Sequence, residues 1–500
     1  MTIRNCLTSI AATFALGMLG TTQAVGGELT KYVNPYIGSG GHGHVFVGAN
    51  VPYGMLQVGP TQPTRGWDWC SGYHYSDNVI IGFGHTHLSG TGIGDLGDIA
   101  LLPIANKEQK ELKLSHDNET VQPGYYAVTV AEPNVKVELT TTSRVAMHRY
   151  TYGGNEAEHL FAVDLQQGIG WDKMTDCLFT QETDTRLTGM RRSEGWSSDH
   201  RYYFSMEFSQ PVRIVSRDNF NRPIIAVKAS NKPLLVKVAL SPIDVMGAKE
   251  NMAAELPGWD FDATRTAADQ QWDKQLARAT VESKDNRLKT IFYTAMYHFM
   301  VAPSAFCDVN GDYRGPDSKV HKANYTTYST FSLWDTYRAA YPLMTLICPD
   351  MQADLAKTFM SIYREQGRLP IWHLAGRETD CMVGSPGVPI LADMVLKGYV
   401  DDKEGAYEAL KQSMLREERS LGLLKQYGYI PWDKEKDNET VAKALEYCLA
   451  DAGVAKVAKL LGKMDDYEYF YNRSQSYKKY FDAETCFMRA IGTDGKFRTP

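Results

Sequence analysis

The feature that most constrains the fold is a change of hydrophobic period at Pro257–Gly258. Before it, apolar residues recur at every second position: Val135, Val137 and Leu139 alternate with Lys136 and Glu138. Short β-rich runs follow at Tyr125 to Val130, His159 to Leu165 and Leu234 to Leu240, punctuated by Gly, Pro and Asn. Many short strands at such spacing predict an antiparallel β-sandwich rather than βαβ units. After Pro257–Gly258 the period becomes 3.6. Asp262 is placed to cap a helix carrying Trp272 and Leu276, and Asp285 another with Leu288, Ile291, Phe292, Ala295 and Phe299 on one stripe. Further helices are expected around Met351 to Tyr363, Val388 to Tyr399, Gly405 to Glu418, Thr440 to Leu461 and Asp466 to Phe481, the last with Tyr467, Phe470, Tyr471 and Phe481 inward. A run of strands followed by a run of helices predicts a multidomain chain, β then α, with the two parts in contact.

The 500 residues suffice for two or three domains. A net charge of -6 and the absence of a long Lys/Arg run leave no footprint for a phosphate backbone, so nucleic acid is not an expected partner. Residues 1–24 read as a secretory signal: Arg4, an apolar run from Ile10 to Leu19, then small residues before a cut after Ala24. No later run has the ~20 apolar residues of a membrane helix, so no insertion is expected after signal removal. The seven cysteines beyond Cys6 have no close pairing and read as buried thiols rather than a disulfide scaffold.

The chemistry concentrates in the stretch from Arg65 to Asp98, where aromatics, His and acids are interleaved with closely spaced glycines. Trp67 and Trp69 suit stacking on the C–H faces of a sugar, with Asp68 between them to accept hydroxyl hydrogen bonds. The alternative is an aromatic corner of the sandwich, which an Asp between two Trp disfavours. His42/His44 and His85/His87 are two His-X-His pairs able to share a strand face, but neither has a third metal ligand at a recognisable spacing. In the α half, Trp334 and Asp335 lie at a loop-to-helix junction, with Arg338 three residues on. Asp335 reads either as an N-cap or as a carboxylate facing substrate. Arg377, Glu378 and Asp380 form a charged cluster on a connection between helices. Most glycoside hydrolysis uses two carboxylates, and Asp335, Glu378 and Asp380 are available acids of undetermined separation.

These residues together resemble glycoside hydrolase family 92, the calcium-dependent exo-α-mannosidases. The resemblance rests on YVNPYIG at Tyr32, PYGMLQVGP at Pro52, GFGHTHLSGTG at Gly82, SLWDTYRA at Ser332, GYIPWDK at Gly428 and FDAETCFMR at Phe481. It implies a β-sandwich (25–258), linking helices (259–286) and an (α/α)6 catalytic domain (287–500), with the site between them. It also implies inverting hydrolysis of terminal α-mannosides of N-glycans or mannan, most simply α-1,2-linked, by a Glu acid and an Asp base. Calcium would hold the mannose 2- and 3-hydroxyls. Carried over by position, Asp335 resembles the residue holding the terminal mannose. Trp67, Trp69 and Cys70 resemble the sandwich's contribution to the pocket, and Arg377 and Glu378 a loop lining it; Asp68 and Trp334 join them as substrate-binding candidates on their own chemistry.

The same resemblance places the acid, the base and the calcium ligands beyond Pro500. Such a barrel has twelve helices, and the residues after Pro257 supply about seven or eight at roughly 30 residues per helix and loop. The expectation is therefore an exported, periplasmic or secreted α-mannosidase whose barrel is incomplete in this chain, which is inactive by itself. The rival readings are a polysaccharide lyase, built from a helical toroid and a sandwich in the opposite order, and a glycan-binding protein without turnover.

Overall fold

The structure is a computed structural model that describes residues 27–219 and 221–499; the signal segment lies outside them. The first half forms two antiparallel sheets. One has seven strands in the order Ala49–Asn50, Gln57–Thr61, Gly82–Gly84, Ala100–Ile104, Glu158–Asp164, Pro223–Lys228 and Val212–Arg217. The other has eight: Lys173–Gln181, Arg186–Glu194, His200–Phe208, Leu234–Ser241, Val145–Tyr152, Val135–Thr141, Tyr125–Val130 and Glu119–Gln122. Val137, Leu139, Phe161, Phe204 and Val238 meet in the apolar layer between them, as face-to-face packing of period-2 strands requires. The expected sandwich is present.

Alternation predicts a solvated outer face, and here the structure differs. Helices Val245–Glu255 and Phe261–Leu276 lie across the outer face of the eight-stranded sheet. They bury Tyr125, Ala127, Val145 and Met147 against Ala248, Met252, Leu256 and Phe261. Glu138, the polar member of the alternating run, is consequently buried. It is neutralised by Arg149 at 2.8 Å and Lys136 at 3.1 Å, with Tyr125 Oη donating at 2.7 Å.

The helix caps refine the sequence expectations. Asp260, not Asp262, caps Phe261–Leu276 by accepting from Ala263 N; Asp262 sits one residue inside the helix and pairs with Arg149. Asp285 caps Asn286–Phe299 as expected. That helix carries two apolar stripes, and the one facing inward is Tyr293, Met296, Tyr297 and Met300, because Trp272 packs on Tyr297. Leu288, Ile291 and Ala295 point outward. Near the C-terminus the helix expected from Asp466 to Phe481 is two helices, Met464–Ser474 and Tyr477–Tyr480, and a strand that starts at Phe481. Phe470 is buried there, while Tyr471, on another face of the first helix, and Phe481, beyond the break at Gln475, are exposed.

The two halves interpenetrate. Asn50 and Tyr53 of the sandwich enter the helical core: Trp272 Nε1 donates to Asn50 O at 2.6 Å, and Tyr53 N to Met300 O at 2.9 Å. In return, Phe306, Trp372, Leu374 and Ala375 from the α half complete the sandwich core. The polar connections between helices are thereby tied to the β domain. No helix among the described residues is long and apolar enough to cross a membrane. All seven described cysteines are free thiols.

Candidate active site

On the sandwich side the glycine-rich segment from Gly90 to Asp98 forms the floor. At two positions indoles press against the glycine backbone. A Cβ on Gly92 would lie 3.1 Å from Trp67 Nε1, and one on Gly94 2.5 Å from the Trp171 ring. Trp67 Nε1 donates to Gly92 O at 2.9 Å, which leaves its ring 52% exposed at the surface. Trp171 and Trp196, exposed by 40% and 38%, come from the loops after Asp164 and Glu194. Sequence reasoning passed over both, although each is a Gly-flanked tryptophan in a loop, GIGWDK and EGWSSD.

The neighbours of Trp67 are differently employed. Trp69 stacks on His74 at 4.3 Å between ring centroids and donates to Asp77, which Arg65 also holds. Cys70 is buried and its Sγ donates to Thr91 O at 3.2 Å; burial pushes the thiol up to about 11, so it stays protonated. Both side chains fasten the loop that presents Trp67. Asp68 accepts from His42 Nδ1 at 2.6 Å and contacts His44 Nε2 at 3.2 Å, and these hydrogen bonds hold its carboxyl below the usual range.

The second His-X-His pair is structural. His85 Nδ1 lies 2.6 Å from Ile99 O and its Nε2 3.0 Å from His148 Nε2; His87 contacts Gln57 O and Thr61 Oγ1. Burial lowers both to about 4, so they are neutral and spent on internal hydrogen bonds.

On the α side, the carbonyl of Leu374 accepts from Ser197 Oγ at 3.1 Å, and Trp372 meets Trp196 edge to face at 6.5 Å. Glu378 holds this connection together: its carboxylate accepts from the backbone amides of Ile371, Trp372 and Asp380 at 2.8, 2.9 and 3.0 Å. Arg377 reaches Pro316 O and Asp199. Asp380 is paired with Arg368 and Arg419. Asp335 differs from these acids. It lies in the first turn of Leu333–Thr336, with Ser332 rather than Asp335 at the cap position; it accepts from Ser332 Oγ at 2.8 Å and is exposed. Arg338 turns to Glu446 instead of Asp335. Trp334 Nε1 is buried with no hydrogen-bond partner.

Among the described residues, two groups of side chains have metal-ligating potential: His42, His44 and Asp68, and the buried Asp98, Asp172 and His200. The second was not anticipated from sequence, since its members come from three separate segments. Arg191 fills its centre, with Nη1 2.5 Å from Asp98 and 2.8 Å from Asp172. Burial disfavours the charges of Asp98, Arg191 and His200, yet Asp98 lifts His200 above its ordinary value, and His200 with Arg191 holds Asp98 well below. The cluster is a charge-balanced network. Calcium takes six to eight oxygen ligands; a guanidinium between the carboxylates denies it this site, and two imidazoles make the first group equally unsuitable. Neither group fits calcium.

A cleft of about 960 Å3 lies elsewhere, lined by residues including Tyr313, Asp317, His321, Tyr325, Arg364 and Glu365. None of the aromatic-wall residues borders it.

A sandwich pinned to a helical domain, with exposed tryptophans on its loops, defines a two-domain protein of the β-then-α class. The Glycosyl hydrolase family 92 N-terminal domain model matches residues 32–240, and that family's catalytic domain model matches residues 247–500. The chain belongs to glycosyl hydrolase family 92. Among solved structures it is similar to the family GH92 alpha-mannosidase BT3965 from Bacteroides thetaiotaomicron, including its complex with mannoimidazole: 35% identity, TM-score 0.89, covering 95% of this chain and 67% of that one. It is also similar to the GH92 inverting mannosidase BT2199 from Bacteroides thetaiotaomicron VPI-5482, at 25% identity and TM-score 0.84, covering 96% of this chain and 68% of that one. An uncharacterized secreted glycosidase from Arthroderma benhamiae is 25% identical over 94% of this chain, which spans 64% of that relative's length.

Proposed function

We propose that this chain supplies the sandwich and adjoining helical wall of an exported, exo-acting α-mannosidase that hydrolyses terminal α-mannosides with inversion. The observation that carries the reading is a solvent-facing indole, Trp67, on a sandwich that is fastened through Ser197 and Leu374 to the helical half carrying the exposed carboxylate of Asp335. An indole face takes the apolar side of a pyranose and excludes water from it. A carboxylate accepts from two adjacent hydroxyls and fixes the ring's orientation. Trp171 and Trp196 extend the same aromatic surface, and Trp334 offers an orphaned donor beside Asp335.

Trp69, Cys70, Arg377 and Glu378 act as positioning residues, because their polar atoms are committed to holding the two loops. The proton transfers are assigned to none of Asp335, Glu378 and Asp380. Glu378 is saturated by backbone amides and Asp380 by two arginines, while Asp335 is placed to orient a sugar. Calcium is the ion the family implies; as neither ligating group fits it, no step is routed through it.

The test is to incubate the natural gene product carrying this chain with α-mannobioses and follow the anomeric signals by NMR. The expected result is release of mannose first seen as the β-anomer. A first-formed α-anomer overturns inversion, and an unsaturated product absorbing in the ultraviolet overturns hydrolysis.

A further inference from the structure

We propose that His42 Nδ1, His44 Nε2 and a carboxylate oxygen of Asp68 form a three-ligand site for a divalent transition metal of the zinc class, beside Trp67. The three ligand atoms, from two separate loops, all lie within 4.8 Å of one another. Two imidazoles with one carboxylate are the donor set that zinc and its neighbours favour and that calcium and magnesium do not. Three protein ligands leave at least one coordination position open, and this one faces solvent at the aromatic wall.

The backbone is shaped to deliver these donors. His44 adopts φ 54°, a left-handed conformation that a non-glycine residue rarely takes. A Cβ on Gly43 would lie 2.0 Å from Gly38 O, so no other residue fits between the two histidines. His44 O accepts from Gly90 N at 2.7 Å, which ties the turn to the glycine-rich floor. The buried His44 ring meets Trp67 edge-on at 4.2 Å, which fixes its direction. His44 and Asp68 are thus held in place, while His42, with a side chain 78% exposed, is tied to them through its hydrogen bond to Asp68. Zinc–ligand bonds of about 2.0–2.2 Å put neighbouring ligand atoms roughly 3.2–3.5 Å apart. The present 3.2 Å contact of His44 already has this spacing, and the 2.6 Å contact of His42 opens when the metal replaces the shared proton, a movement for which the exposed His42 side chain has room.

The experiment titrates the chelator-stripped full chain with Co2+ and then Zn2+. The expected result is a strong visible d–d spectrum of low-coordinate Co2+, quenching of tryptophan fluorescence, loss of both on adding one equivalent of Zn2+, and no displacement by excess Ca2+. His42→Ala, a change at an exposed side chain, should weaken Zn2+ binding at least tenfold with an unchanged melting curve, and Asp68→Asn should act likewise. Cobalt spectra that remain those of the hydrated ion, or zinc affinity unaffected by His42→Ala and Asp68→Asn, overturn the site. Displacement of cobalt by calcium overturns the metal class.

Discussion

Arg377 Nη2 donates to Asp199 Oδ2 at 2.9 Å across the boundary between the helical connection and the sandwich. Asp199 is nearly buried and is shared with Arg192 and Arg201, at 2.7 and 2.5 Å. One carboxylate therefore gathers arginines from both domains, beside the contact that Ser197 makes with Leu374.

Arg377→Ala removes the cross-domain partner but leaves Asp199 two others. It should cost about 1–3 kcal/mol, in the range for a hydrogen bond to a charged group. Urea unfolding followed by tryptophan fluorescence measures this; a change below a few tenths would mean that the Arg377–Asp199 bond adds no net stability across the boundary.

Asp199 also makes stability acid-sensitive. Burial opposes its ionisation, but the three arginines win and hold its pKa well below the ordinary value of about 3.9. A depressed folded pKa gives stabilisation that is complete above the unfolded pKa and lost as pH falls from there through the folded value. Asp199→Asn should therefore lower the melting temperature at pH 7, and the gap from wild type should narrow below pH 4.

Asp308 predicts the opposite slope in a different window. Burial pushes it up to about 6, despite hydrogen bonds from Ser241 and Asn251 at 2.7 and 2.8 Å. With the folded pKa above the unfolded one, its contribution is fully present below about pH 4 and declines as pH rises through 6. Relative to Asp308→Asn, wild type should lose about 1–3 kcal/mol between pH 4 and 8, measured by paired melts across that range.

The tryptophans of the WDWC run should separate recognition from stability. Trp67→Ala should lower kcat/KM on an α-mannoside about tenfold, equivalent to roughly 1.4 kcal/mol, with little change in melting. Trp69→Ala should lower the melting temperature, since it removes the stack on His74 and the donor to Asp77. Equal thermal losses in both variants would mean that Trp67 is only part of the scaffold.

Asp335→Asn should leave the melting curve unchanged, because the carboxylate is exposed and accepts from Ser332 alone among the hydrogen bonds described. Catalytic efficiency should fall ten- to a hundredfold, as the loss of charge-assisted hydrogen bonds of about 1.5–3 kcal/mol implies. Unchanged kinetics would remove Asp335 from the sugar site.

The sequence by itself determined the order of sandwich and helical domain, because residues at period 2 or 3.6 can hide their apolar side in only one kind of layer. The strands at Tyr125–Val130 and Leu234–Ser241, the cap at Asp285 and the family were legible on that basis. Local pattern could not choose between the two apolar stripes of Asn286–Phe299, since only the position of Trp272 decides which is inward. Nor could it show that Glu138 is covered or that Glu378 is saturated, as their partners come from other segments or from backbone amides. Arg191 and His200 share a hairpin, but Asp98 and Asp172 come from separate segments and join them only when the fold is complete. The third donor for His42 and His44, Asp68, is likewise a product of two loops brought together by the floor beneath them. Side-chain type and spacing dictate what each segment can bury. Which polar groups remain free for a sugar or a metal is decided only once tertiary packing has used up the others.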